Sequence, residues 1–286
     1  THFASDRTES ETALQLVKGS SMAWKDAWSY AQRVFTSDAK ESAEQQGPRE
    51  DDNLPLKARV GSVVTLQKTP MIRAQAQGSL IQLPNDDETL IRAISRVRTD
   101  IDGKIFRYYL SVGDEDQAEK FIELYVDAQD QIRELNYYSR LCRLIPESAE
   151  DQAIFSGEAG YGLGDLQYTL WRSQLEELGW TEELLEATFL DQDHVQYQRV
   201  AGDPYADYVA PFRGSETRID SSDGRQGLQQ QIIFMPYARR LAGEDKELLL
   251  ISTEIVESEH GDRNKRGIYV DFMVGIPIDI ERLVVQ

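Results

Sequence analysis

Few side chains in this chain are suited to catalysis. It has three histidines, His2, His194 and His260, and one cysteine, Cys142. No H-E-x-x-H zinc helix is spelled. A Ser-His-Asp triad would have to use His194 or His260, and both sit beside acidic, turn-forming neighbours that face solvent. A single cysteine excludes an intramolecular disulfide, a CxxC redox pair and a thiolate zinc cage. Within Leu141-Cys142-Arg143-Leu144 it reads as a small buried hydrophobe. G-x-S-x-G and the phosphate-cradling G-x-x-x-x-G-K-[ST] are both absent. Gly160-Tyr161-Gly162-Leu163-Gly164 misses the dinucleotide spacing by one position and reads as a loop. Asp114-Glu115-Asp116 lacks the calcium-loop pattern and reads as a solvated turn. The expectation is therefore no catalytic residue, no metal site and no cofactor.

Two residue types remain abundant. Fifty acidic residues could supply a carboxylate pair for acid–base work on a glycosidic bond, but no spacing singles one out. Thirteen tyrosines, among them Tyr108-Tyr109, Tyr137-Tyr138, Tyr205 and Tyr208, suit half-buried strand positions or, with arginine, a recognition surface. The formal net charge is −19, which argues against a general nucleic-acid binder, since that needs a basic footprint. Hydrophobic residues make up 40% and charged residues 28%, enough for a packed core. No run approaches a membrane-spanning length. Thiol scarcity fits the cytoplasm.

The elements that would carry these residues divide the chain in three. Over residues 14–35, Leu14, Val17, Trp24, Trp28, Ala31 and Phe35 recur at helical spacing, with Ser21 placed to cap a helix over 22–36. The local net charge is +2, on a strongly acidic protein. This amphipathic helical segment, 1–35, either packs on its own domain or docks on a partner through Trp24, Trp28 and Phe35, the predicted partner-binding residues. Residues 36–53 form an acidic linker of net −4 punctuated by Gly47-Pro48. Residues 54–286 read as a strand-rich α+β domain, with two subdomains as an option, split near 146–187. Strands are predicted at 57–66, 79–83, 90–98, 104–111, 119–126, 131–144, 187–190, 195–200, 229–235, 247–256 and 267–276. Asp102-Gly103 marks a hairpin, and a second turn is expected at 191–194. Ser148 opens a helix, Thr181 another, and residues 166–172 fit either a helix or a strand.

The order of several short motifs resembles the YjfK-like proteins, an uncharacterised bacterial family. These are Leu54-Pro55-Leu56 with Arg59-Val60-Gly61, Phe106-Arg107-Tyr108-Tyr109-Leu110, Glu123-Leu124-Tyr125-Val126, Tyr197-Gln198-Arg199-Val200, Met235-Pro236-Tyr237-Ala238-Arg239 and Glu247-Leu248-Leu249-Leu250. The resemblance implies no activity and no site residues. It implies a context: such proteins are similar to ones encoded near a PspA-like membrane-stress coat protein, a small membrane protein and an ATP-grasp ligase.

The expected fold is thus α+β, mostly antiparallel strands with inserted helices and an N-terminal amphipathic helix. The leading functional expectation is a non-catalytic adaptor in the cytoplasm. It would bind a protein partner, PspA-like or a small membrane protein, at a membrane-associated or envelope-stress assembly, with peripheral membrane contact. The alternative is an enzyme or small-ligand binder with a carboxylate, Arg and Tyr-lined cleft in the strand-rich domain. Exposed strand edges also offer surfaces for a homo-oligomer.

Overall fold

The computed structural model describes residues 49–112, 118–224, 227–243, 245–259 and 267–286. The predicted helix at 22–36 and its anchors Trp24, Trp28 and Phe35 lie outside them, as do His2, His260 and Asp114-Glu115-Asp116.

Alternating patterns produce strands because successive side chains point to opposite faces of an extended backbone. Eight strands close on themselves: β2 (Glu88–Thr99), β3 (Lys104–Leu110), β4 (Lys120–Val126), β5 (Ile132–Leu144), β8 (Phe212–Ile219), β9 (Leu228–Arg240), β10 (Lys246–Glu259) and β11 (Gly267–Pro277). β2 to β5 form one antiparallel meander and β8 to β11 a second. β5 pairs with β11 and β2 with β8, so the ring has no free edge. The predicted hairpin at Asp102-Gly103 joins β2 to β3. Gly103 has φ 109°, and a Cβ there would meet the Val126 carbonyl oxygen at 2.6 Å, so glycine is required.

The remaining elements cover the outside. β1 (Val63–Leu66) extends the sheet beside β2 and pairs with the C-terminal β12 (Leu283–Val285). β7 (His194–Arg199) continues the edge of β9 beyond the end of β8 and carries β6 (Gln167–Trp171). The helices are α1 (Thr69–Ala76), α2 (Ala149–Ser156), α3 (Arg172–Glu177) and α4 (Glu182–Phe189). Their apolar residues, such as Met71, Leu175, Leu185 and Phe189, bury the barrel's outer wall in one large core. α2 starts at the predicted Ser148, through a capping box in which Ser148 Oγ accepts from the Asp151 N–H and Asp151 reaches back.

Several local expectations change. Residues 57–62 turn instead of extending, because Gly61 at φ 94° breaks the strand. Segment 79–83 forms no strand; it is pinned by side chains instead. Residues 187–189 finish a helix rather than forming a strand, so 191–194 links helix to strand rather than strand to strand. The ambiguous 166–172 resolves as β6. The helix at 69–76 and the strand at 212–219 have no counterpart in the sequence reading. Within the acidic stretch 36–53, residues 49–53 pack against the domain: Asp51 is fully buried, accepting from Arg49 and from the Val60 N–H.

The candidate site inside the barrel

A barrel of eight strands has an interior that side chains just fill. Its apolar part includes Val97, Ile105, Tyr109, Phe121, Ile232, Phe234 and Leu250, a cluster built from the barrel strands and separate from the outer core. The rest is charged. From β3, Arg107 is 2% exposed; its Nε donates to Glu123 Oε2 at 2.9 Å and it pairs with Glu216 of β8 at 3.5 Å. Glu216 also accepts from Tyr109 OH at 2.8 Å and Gln230 Nε2 at 2.8 Å. Burial pushes the Glu216 carboxyl up, but Arg107 and Arg218 outweigh it and hold it below the usual range. For Glu123 burial prevails over Arg107, and its carboxyl is raised. These groups occupy positions that an apolar barrel core would fill with Leu or Val.

Toward one end of the barrel the arginines multiply. Arg218 of β8 pairs with Glu119 at 3.4 Å. Arg143 of β5 grips Asp271 of β11 with two hydrogen bonds, at 2.6 and 2.5 Å, and reaches Glu254 of β10 at 3.2 Å. Its guanidinium lies 5.0 Å from the Tyr269 ring centroid. Arg92 and Arg140 act on the same Glu119 carboxylate. Burial raises Glu119, but Arg218, Arg140, Arg143 and Arg92 overwhelm that effect and bring it down to about 2. Glu254 goes the other way: burial and then the neighbouring Asp271 push it to about 8, despite Arg143. Glu254 thus holds its proton more tightly than an ordinary glutamate, while Arg218 also faces the ionised Glu216 and Arg92 also faces Asp220.

Two β-bulges assemble this end. β2 and β3 pair Ile91 with Leu110 and then Ala93 with Tyr109, so Arg92 is the extra residue. β5 pairs Cys142 with Phe272 and Arg140 with Met273, so Leu141 is extra. Leu141 and Cys142 both pack on the outer core, and Arg140 and Arg143 both face Glu119. Strict alternation would have set Arg140 and Arg143 on opposite faces.

Some buried polar atoms here have no hydrogen-bond partner among the described residues: Arg107 Nη2, Arg218 Nε, Gln230 Oε1 and Ser252 Oγ. Such groups are costly to bury and mark places where water or a ligand completes the set.

The tyrosines expected at strand positions are there: Tyr108, Tyr109, Tyr137 and Tyr138 are all buried, while Tyr205 is exposed. His194 lies against Asp193 at 2.7 Å, away from the barrel interior. Cys142 is a partly buried residue of the outer core, and burial pushes its thiol up to about 12, so it is no nucleophile. Among the described residues no group of His, Cys, Asp and Glu could hold a metal ion. The residues that sequence reading missed are Arg92, Arg107, Arg140, Arg143 and Arg218. The only signal for them was basic residues placed inside strand patterns of a very acidic chain.

The protein defined by these features is a closed eight-stranded antiparallel barrel with a charged, arginine-rich interior. No family model, curated protein or solved structure matches the chain.

Proposed function

We propose that the protein binds a small anionic ligand at the arginine-lined end of the barrel, the small-ligand form of the cleft reading. The observation that carries it is the gathering of guanidiniums at this end: Arg218 on Glu119, Arg143 on Asp271 and Glu254, with Arg92 and Arg140 beside the same Glu119 carboxylate. Buried ion pairs give little net stability, so a network this large fits a binding role better than a scaffolding one. Guanidinium forks suit carboxylate and phosphate groups. Access is from the Glu119 and Arg143 side, where these side chains are 21% and 26% exposed while Asp271 is 2% exposed.

Isothermal titration with inorganic phosphate, pyrophosphate, succinate and citrate tests this. One of these classes should bind with a 1:1 stoichiometry, and Arg92→Ala, an exposed position, should weaken it about tenfold. Silence from all four, or unchanged affinity in Arg92→Ala, overturns it. The adaptor role at a membrane-associated assembly is a second proposal. It rests on the amphipathic 14–35 segment and is tested by comparing crosslinked partners of the full chain and of a chain lacking residues 1–48. Among the described residues no helix is long and apolar enough to cross a membrane.

A further inference from the structure

A broad concavity lies outside the barrel. A groove of about 940 Å³ runs between the end of α4, the end of α1, and strands β7 and β9. It shares no residue with the arginine-lined end.

The groove exists because two strands part company. β7 pairs with β9 only at Gln198 with Ala238 and Arg199 with Tyr237, and the Val200 N–H donates to the Pro236 carbonyl. The next pairs in register would be Tyr197 with Arg239 and then Gln196 with Arg240, and neither is made. Backbone alternation decides where those groups point. The Arg199 N–H donates to Leu166 on the β6 side, so the N–H and C=O of Gln196 face β9 across the gap. The Leu241 N–H donates to Asp245 on the β10 side, so the N–H and C=O of Arg240 face β7. Two strand edges thus look at each other without meeting.

The charge at the gap is unlike that of the rest of the chain. Arg240 and Lys246 sit directly opposite each other on β9 and β10, both exposed, and neither has an ion-pair partner among the described residues. Like charges facing across a ladder are unfavourable. They stand on a protein of net charge −19. At the rim, Leu190 is 70% and Val200 57% exposed. The floor is rigid: Glu247, fully buried, accepts from Tyr197 OH at 2.5 Å, Arg239 Nε at 2.6 Å, Ser79 Oγ at 2.5 Å and the Leu80 N–H at 2.6 Å.

We propose that this groove is a docking site for an extended acidic segment of a partner protein, which adds as a short strand at the Gln196 and Arg240 edges. Main-chain hydrogen bonds would hold the segment, its carboxylates would face Arg240 and Lys246, and an apolar side chain would cover Leu190 or Val200. The positive pair on a negative protein selects an acidic partner and disfavours a second copy of this chain.

Panning a random dodecapeptide phage library on the full chain tests the assignment, with counterselection on the double variant Arg240→Glu, Lys246→Glu. These side chains are exposed, and circular dichroism is used to check that the variant folds. Enriched peptides should carry Asp or Glu at alternate positions. As fluorescein-labelled peptides they should bind about tenfold more weakly to the double variant and in 0.5 M NaCl. Gln196→Pro, which removes one edge N–H, should weaken them too. Three results overturn the proposal: no enrichment, enriched peptides without acidic bias, or equal binding to the double variant. A concentration-dependent dimer in sedimentation that the double variant abolishes would assign the groove to a second copy instead.

Discussion

The guanidinium of Arg218 lies over the ring of Tyr109 with its carbon 3.7 Å from the centroid, inside the barrel. The same tyrosine donates its hydroxyl to Glu216, and the same arginine faces Glu119. One stacked pair therefore joins the charged middle of the interior to its arginine-rich end. A cation held over an aromatic face away from water is worth up to about 2 kcal/mol or more.

Removing Arg218 leaves Glu216 and Glu119 short of their counter-charges in a buried setting. Arg218→Met should cost on the order of 3–5 kcal/mol in urea unfolding. Tyr109→Phe, which removes one hydrogen bond to a charged acceptor, should cost about 1.5–3 kcal/mol. A loss below about 1 kcal/mol in Arg218→Met would show that water reaches the pair freely.

Glu254 makes stability depend on pH. Its carboxyl titrates near 8 in the folded protein, against an ordinary 4.5. The unfolded chain releases this proton first as pH rises. Its contribution is therefore whole below about 4.5 and is lost as pH climbs toward about 8. Glu119, held at about 2, has the opposite sign: its contribution is present above about 4.5 and lost as pH falls toward about 2. Melting temperatures of the native chain and Glu254→Gln, measured from pH 5 to pH 8.5, should show the native chain falling relative to the variant. Parallel curves would place the Glu254 proton elsewhere.

Glu247 ties β7, β9 and residues 79–80 to β10 through four donors. Glu247→Ala strands a buried tyrosine hydroxyl and a guanidinium together. The expected loss is about 3–5 kcal/mol, read by chemical denaturation. Glu247→Gln keeps the shape and part of the hydrogen bonding and should lose less.

Gly275 on β11 lies opposite Tyr138 on β5, and a Cβ at Gly275 would meet the tyrosine ring at 2.4 Å. Gly275→Ala should destabilise by about 1–3 kcal/mol, and pairing it with Tyr138→Leu should recover part of that loss in a double-mutant cycle.

Cys142 should resist thiol reagents. With its thiol at about 12, only about one molecule in ten thousand carries the thiolate at pH 8. Reaction with a disulfide reagent should be slow in the native chain and become immediate in denaturant. Fast labelling of the native chain would contradict the raised thiol.

The strand content, its antiparallel character and the α+β class were legible because alternation and turn residues are local. Leu90, Arg92, Ile94 and Arg96 announce an extended segment, Asp102-Gly103 a hairpin, and Ser148 with Asp151 a helix start. The misread parts were those in which tertiary contacts outweigh local preference. Segment 79–83 is as apolar as a strand, yet it is pinned by Glu247 and Ser139 side chains. α1 begins at Thr69-Pro70, with Pro in the first turn, a helix-start signal that was available and not read.

The amino-acid sequence by itself determined which side chains could meet: a very acidic chain with tyrosines and a few arginines inside strands, and almost no histidine or thiol. Tertiary structure alone decided that the sheet closes, because β2 pairs with β8 and β5 with β11 across long stretches of chain, and a two-residue period carries no information about such partners. It also decided that Arg140 and Arg143 share one face. A bulge adds one residue to β5, reverses the alternation beyond it and turns Arg143 inward, and only the register against β11 reveals that extra residue.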